Sequence, residues 1–452
     1  MEPREGKMAG TPSPITVSTK LQRIATLARQ APDTAFTTLA HHIDLEWLRE
    51  AYRRTRKDGA VGVDGQTAEQ YAENLEDNLQ VLLDRAKSGL YRAPPVRRVH
   101  IPKGDGKTTR PLGIPTFEDK ILRRGVAMVL EAVYEQEFLP CSFGFRPGKS
   151  AHQALQSLWE PLMRTSGGWV LEVDIQKFFD TLEHDQLQQL VQRRVRDGVL
   201  LRLIGKWLNA GVLEEKELTH PTRGTPQGGV ISPLLANIYL HEVLDVWFEH
   251  EIKPRMKGKA ELIRYADDFV ICFTQEKDAR RVMDVLPKRF GKYGLTLHPG
   301  KTRLVEFRPN RPKPSGEGRN GRSFDLLGFT HYWGVSQRGA RVVKRKTASN
   351  RLSRALKQVT QWCRLNRHRP LTEQHRVLTQ KLRGHYGYFG ITGNSKALVA
   401  FAWEVRKRWH KWLARRTQQG RTTWEKFDQI IRRFPLPKPR VVHSLYQLAA
   451  NP

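Results

Sequence analysis

Two short stretches place acids where acids are costly. Arg264 to Phe273 reads RYADDFVICF, an apolar run with Asp267 and Asp268 side by side in its middle. Gly168 to Leu182 reads GWVLEVDIQKFFDTL, and Asp174 interrupts a second apolar run. A buried carboxylate without a partner is unfavourable, and three from neighbouring strands would repel one another. Two readings account for the adjacent pair. Asp favours turns, so Asp267 and Asp268 can simply close a hairpin. Alternatively, a divalent cation turns the repulsion into binding. Carboxylates with open coordination positions suit Mg²⁺, which keeps water and takes phosphate oxygens from a substrate. Two such ions ~4 Å apart can activate a 3′-hydroxyl and stabilise a leaving pyrophosphate. Asp174 and Asp267 would then be the bridging ligands and Asp268 the more peripheral one, with Mn²⁺ as an alternative ion. A bare Y-x-D-D supports the turn at least as well. The second apolar strand, with its own Asp, moves the balance towards metal.

Acids at strand ends need a sheet to hold them and helices to cover it. Residues 21–90 carry apolar and polar residues at helical spacing, broken by the glycine-containing loop RKDGAVGVDGQT. Val96 to Pro115 alternates and contains Gly and Pro, which predicts a hairpin. Helices are predicted over about Glu118–Glu137, His184–Arg196 and Lys277–Tyr293. Arg223 to Phe248 reads as a Gly-rich loop running into an apolar helix. RYADDFVICF reads as strand, tight turn, strand. RPNRPKPSGEGRNGRS (Arg308 to Ser323) is a linker by composition. An apolar hairpin, FDLLGFTHYW, follows, and the chain is helical again from about Ala348. GDGKTT and RPGKS resemble the end of a phosphate-binding loop. That motif needs Gly five residues before its last Gly, where this chain has Ile101 and Phe143, so both fail.

Composition narrows the partners. The 452 residues carry 77 Lys and Arg against 46 acids, a net charge of +31. Residues 338–452 hold 27 of those cations and only four acids. Such a surplus repels itself unless a polyanion is near, which points to nucleic acid. Trp362, Trp403, Trp409, Trp412 and Trp424 recur through this basic region, so it reads as folded and not as a charged tail. The length suits two to four domains. No apolar run reaches the ~18 residues of a membrane span, and the N-terminal 20 residues read as a disordered leader without a secretory signal. Cys141, Cys272 and Cys363 lie far apart in sequence with no C-x-x-C pair, which argues against a disulfide framework or zinc ribbon and fits a reducing, cytoplasmic setting.

The blocks RPLGIPTFEDK, FGFRPGKSAHQAL, VLEVDIQKFFDTLEHDQL, RGTPQGGVISPLLANIYL, IRYADDFVICF, GLTLHPGKTRLVEF and FDLLGF, in that order, resemble the successive motifs of group II intron reverse transcriptases. GAVGVDGQT resembles that family's additional N-terminal motif, and LRGHYGYFGITGNS its maturase, or X, domain. The resemblance implies an α+β right-hand polymerase. Its fingers and palm would span 21–337, with about 90–160 and 198–235 contributing finger and palm motifs. A thumb and maturase domain would span 338–420, and a basic tail 421–452. It implies an RNA-directed DNA polymerase with Asp174, Asp267 and Asp268 holding two Mg²⁺ ions. It implies Phe179 as the aromatic gate that excludes the 2′-hydroxyl of a ribonucleotide. Gln227 and Ile175 would lie against the incoming dNTP. Arg110 and Lys103 would grip its triphosphate, and Lys301 would lie near the reacting groups and could protonate the pyrophosphate.

The implied partners are an intron RNA, an RNA template and a DNA primer, with no membrane and with the oligomeric state left open. Phe401, Val405, Trp409, Trp412 and Leu413 form a helical stripe for core packing. Arg406, Lys407, Lys411 and Arg415 would then face outward onto a nucleic-acid backbone. Many members of the family end in an H-N-H endonuclease with paired cysteines. Nothing after Trp424 has that pattern, so no endonuclease is expected. Two alternatives stay open: an RNA-binding splicing cofactor with an idle polymerase, and a domesticated relative in defence or repair.

Overall fold

The computed structural model describes residues 16–102, 108–215, 217–220, 223–224, 229–309, 322–336, 338–416 and 422–444. Among them the chain forms eleven strands: β1 (Val96–Pro102), β2 (Thr109–Ile114), β3 (Gly168–Val173), β4 (Val212–Glu214), β5 (Glu217–Thr219), β6 (Ala260–Tyr265), β7 (Asp268–Phe273), β8 (Arg303–Phe307), β9 (Phe324–Leu326), β10 (Phe329–Val335) and β11 (Arg341–Thr347). Four of them, β4, β5, β8 and β11, fall where the sequence pattern predicts no strand. The strands β4 and β5 are only three residues long, and β8 is five. The last, RVVKRKT, hides its alternation under a run of cations. No helix among the described residues is long and apolar enough to cross a membrane.

The chain divides into two compact units. The first is drawn from Met1–His100, Pro111–Leu139 and Lys177–Val243. Its centre is the helix Phe117–Tyr134, thirteen of whose eighteen residues are buried. Helix Leu45–Arg54 packs on it, started by Asp44, whose carboxylate accepts the Trp47 N–H at 2.9 Å. Such a cap satisfies an amide that the helix itself leaves unpaired. The Trp47 indole then donates to the Gly125 carbonyl at 2.9 Å, tying the two helices together. The sheet here runs β2-β1-β4-β5, with β1 and β4 parallel.

The second unit is drawn from Ile101–Arg110, Pro140–Gln176 and Leu244–Pro452. At its heart is a four-stranded antiparallel sheet of order β6-β7-β3-β8. Alternation sorts its side chains. Val170, Val270, Cys272, Val305 and Phe307 face one way and form a core with Ala154, Leu158 and Leu162 of the helix Ala151–Arg164. Phe269 faces the other way and stacks on Phe290 of the helix Glu276–Gly291, ring centres 6.1 Å apart. A smaller sheet, β11-β10-β9, adjoins the first core through Phe324, Leu326 and Val343.

Four helices follow, Ser349–Leu365, Leu371–Phe389, Ser395–Leu413 and Trp424–Arg433. Their shared core contains the predicted stripe: Phe401, Val405, Trp409 and Leu413 are buried, and Trp412 packs at the edge. The segment after Arg433 runs back along the helix Leu371–Phe389. Pro435 and Pro437 offer their carbonyls to His375 and Tyr386, and the Val442 and His443 amides donate to the Gly390 carbonyl.

Candidate active site

β6 and β7 pair as far as Tyr265 and Asp268, so the connecting turn is the two residues Ala266 and Asp267. Ala266 has φ of 57°. Two-residue hairpins call for this left-handed backbone at their first position, but a side chain there costs roughly 1–2 kcal/mol. The surroundings hold it in place. Arg264 is fully buried and grips Asp245 with two bonds, Nε to Oδ1 at 2.7 Å and Nη2 to Oδ2 at 2.5 Å. Its remaining reach goes to the Ala266 carbonyl at 3.1 Å and to Ser142 Oγ at 2.7 Å. Burial pushes the Asp245 carboxyl up, and the Arg264 guanidinium opposes that shift. The segment Cys141–Phe143 pairs in parallel with β6 around Arg264. Gly144 then lies so close to the turn that a Cβ there would sit 2.3 Å from the Ala266 nitrogen. The block FGFRPGKS thus forms the bed of the acid-bearing turn.

The last paired residues of β3 and β7 are Val173 and Phe269. Extending that register by one sets Asp174 across from Asp268, with side chains on the same face as Glu172. Asp268 is open to solvent yet ringed by protein, so two influences act on it together. Burial, then the charges of Asp267 and Asp174, push its carboxyl up to about 6. The Asp267 carboxyl is raised too, chiefly by burial, with Arg110 opposing and Asp174 reinforcing. Asp174 takes a 3.0 Å ion pair from Lys301 Nζ. Backbone pairing puts Lys301 there: the Gln176 amide donates to Thr296, the His298 amide to Asp174, and Ile175 bridges Leu297.

Among the described residues no three His, Cys, Asp or Glu side chains converge into a ready-made metal cage. The acid set nevertheless fits a divalent cation. The charge of Asp174 disfavours ionisation of Asp267 and Asp268, and that of Asp267 does the same to Asp268, so the set calls for positive charge, and Mg²⁺ completes its shell with water and substrate oxygens.

Beside the acids lies a recess of about 210 Å³, lined by Asp174, Asp268, Lys301, the turn Leu327–Gly328 and Arg351 among others. Glu172, on its wall, pairs with Arg303 and accepts the Asp325 amide at 2.7 Å, fixing β9 to β3. Burial raises the Glu172 carboxyl, and these two contacts oppose it.

The other candidate residues are distributed as follows. Arg110, in β2, is exposed, and its charge reaches Asp267. Ile175 has a buried side chain. Phe179 belongs to the first unit, in the short helical turn Phe178–Thr181. Phe178 is buried and meets Tyr239 edge-on, whereas Phe179 is only half-buried. Gln227 and Lys103 lie outside the described residues. Of the four C-terminal cations, Arg406 pairs with Asp428 and lies 5.7 Å from the Trp403 ring, and Lys407 pairs with Glu404 at 2.5 Å. Lys411 and Arg415 are exposed, Arg415 lying 5.4 Å from the Trp412 ring.

Sequence reading passed over Arg264, Asp245, Ser142 and Gly144. A signal existed for the first two, since each is a lone charge inside an apolar run, IRYA and VLDVWF. Their pairing across 19 residues became visible only in the fold.

An α+β chain with this antiparallel sheet has the architecture of a right-hand polymerase. The chain belongs to the reverse transcriptase (RNA-dependent DNA polymerase) family, whose sequence profile matches residues 101–331. It is 36% identical over 287 residues to Protein YkfC of Escherichia coli (strain K12), covering 56% of this chain and 75% of that protein. It is 38% identical over 229 residues to the Group II intron-encoded protein LtrA of Lactococcus lactis subsp. cremoris, covering 49% of this chain and 37% of LtrA. Similarity extends to the Nuclear intron maturase 4, mitochondrial of Arabidopsis thaliana, at 29% over 150 residues, 32% of this chain and 18% of that one.

Proposed function

We propose that the protein is the RNA-directed DNA polymerase of a group II intron and binds that intron's RNA as a maturase. The observation that carries this is the meeting of Asp174 and Asp268 across β3 and β7, with Asp267 at the apex of a clamped turn. Relatives named for group II introns and intron maturases support the choice of RNA. In this reading the sheet β6-β7-β3-β8 acts as the palm and the helices from Ser349 to Leu413 as thumb and RNA-binding surface.

The three acids would hold two divalent ions, Mg²⁺ by the chemistry of their oxygen ligands. Bound there, the ions would activate the primer 3′-hydroxyl and neutralise the leaving pyrophosphate. The chain's own groups do the positioning. The Arg264–Asp245 pair fixes the height of the Asp267 turn. Arg110 faces the triphosphate, where a fixed fork of donors suits phosphate oxygens. Phe179 is the ring that would exclude a ribonucleotide's 2′-hydroxyl, as its place in the family motif implies. Lys301 pairs with Asp174 at 3.0 Å and would hold that carboxylate in place beside the reacting groups. Lys411 and Arg415 meet the backbone of bound RNA, where contacts give affinity without sequence choice.

Extension of a DNA primer on an RNA template, with and without added Mg²⁺, tests the reading. Mg²⁺-dependent incorporation of dNTPs is the expected result. RNA binding with no incorporation under any divalent ion would leave only a splicing cofactor.

A further inference from the structure

We infer that Arg351 binds the phosphate of the primer's last internucleotide linkage and so sets the 3′-hydroxyl against Asp174 and Asp268. The inference rests on the polymerase reading and adds to it a residue and a strand.

The acids have two flanks. Arg110 acts on Asp267, and Arg351 acts on Asp268. The recess beside the acids contains Asp174, Asp268 and Arg351 but neither Asp267 nor Arg110. Nucleotidyl transfer needs the attacking and leaving oxygens roughly in line on opposite sides of the phosphorus. One flank therefore takes the triphosphate and the other the primer. With Arg110 facing the triphosphate, the recess is left for the primer's terminal sugar and phosphate.

Arg351 is built to wait there. It lies in the first turn of the helix Ser349–Leu365, and the Ala348 amide just before that helix donates to the Gly328 carbonyl at 2.9 Å. Leu326 and Phe329 pair, so Leu327 and Gly328 form a two-residue turn with φ of 52° and 80°. The Tyr388 hydroxyl holds that turn by donating to the Leu327 carbonyl at 2.9 Å. Arg351 lies across Gly328: a Cβ on that glycine would come within 3.4 Å of Arg351 Cγ and 3.6 Å of its Nε. Lys301, the other cation of the recess, is already paired with Asp174. Arg351 forms no ion pair within 4.0 Å among the described residues, so its fork of donors is available to a phosphate.

The test is a binding cycle with a DNA primer annealed to an RNA template. The primer carries either a natural or an uncharged methylphosphonate linkage before its 3′-nucleotide. In the wild-type protein the methylphosphonate should weaken binding about tenfold, the size expected for one charged hydrogen-bonding contact. Arg351→Ala should weaken binding of the natural primer by a similar factor and then be indifferent to the methylphosphonate. Arg351→Lys, which keeps the charge, should recover part of the loss. If Arg351→Ala responds to the methylphosphonate as the wild type does, the assignment is overturned. It is overturned equally if the variant binds natural primer normally and raises the KM for dNTP, since Arg351 would then serve the triphosphate. Binding does not require turnover. A wild-type protein that fails to extend primers would therefore sink the polymerase reading while this cycle still decides the role of Arg351.

Discussion

Arg264 and Asp245 form a two-point ion pair with no solvent exposure, and the same guanidinium holds the carbonyl of Ala266 in the turn that carries Asp267. The pair is thus a support for a strained backbone, placed one residue from the bend. Removing one partner of a buried pair strands the other and costs about 3–5 kcal/mol. Asp245→Asn and Arg264→Met should each lower stability by about that much in urea unfolding. The double variant Arg264→Met, Asp245→Leu should recover much of the stability and none of the primer extension. The Ala266 carbonyl and Ser142 hydroxyl lose their donor in it. Full activity in the double variant would show that the turn needs no clamp.

Gly144 gives a second handle on that turn. Its missing side chain leaves room for the Ala266 nitrogen, and a methyl group at 2.3 Å forces backbone to move. Gly144→Ala should keep the helical content of the protein by circular dichroism and cut DNA synthesis sharply. An active Gly144→Ala variant would mean that the turn position is not critical to the chemistry.

Asp267→Asn probes the metal reading directly. Charge stabilisation by bound cations is worth several kcal/mol in the transition state, so its loss should slow DNA synthesis by about a thousandfold or more. RNA binding should persist, because the exposed cations Lys411 and Arg415 are untouched. Mg²⁺ should raise the melting temperature of the wild type through linkage and leave that of the variant almost unchanged. Equal Mg²⁺ responses in both proteins would separate Asp267 from the ion.

Adjacent phenylalanines should divide structure from selectivity. Phe178 is buried, so Phe178→Ala should cost about 3–5 kcal/mol of stability. Phe179 is half-buried, and Phe179→Ala should cost less while admitting ribonucleotides. The ratio of dNTP to rNTP incorporation measures the second effect. An unchanged ratio would return Phe179 to the core.

How much of this was legible beforehand follows from the range of each signal. Asp174, Asp267 and Asp268 stand out because a carboxylate inside an apolar run breaks a local pattern. The hairpins at β1–β2, β6–β7 and β9–β10 carry alternation and turn residues within ten to twenty positions. The stripe from Phe401 to Leu413 carries helical spacing. Hidden features depend on contacts between distant residues or on cations whose partners are invisible in one dimension. Arg406 and Lys407 read as surface charges of a basic helix, yet Asp428 and Glu404 engage them. Arg345 reads the same way and is fully buried in β11. The final segment reads as a tail because Pro and Arg dominate it, although its backbone bonds to Gly390 and Thr392.

Acid should destabilise the second unit through two buried imidazoles, His385 in its helices and His331 in β10. His385 stacks on Phe401 with ring centres 3.7 Å apart, and burial lowers its pKa to about 4. His331, buried against Phe324, is lowered as well, by burial and then by Arg345. Both imidazoles fold neutral. Above the unfolded value near 6.5 neither state binds the proton, so stability is at its full level. Below it the unfolded chain takes up protons that the native fold refuses, and stability falls until His385 itself titrates near pH 4. Two to three pK units correspond to roughly 3 kcal/mol for His385 alone. Urea unfolding followed by fluorescence at pH 7.5 and pH 5 should show a marked drop for the wild type and a smaller one for His385→Phe, which keeps the ring stack without the titration. An equal drop in both proteins would place the acid-sensitive group elsewhere.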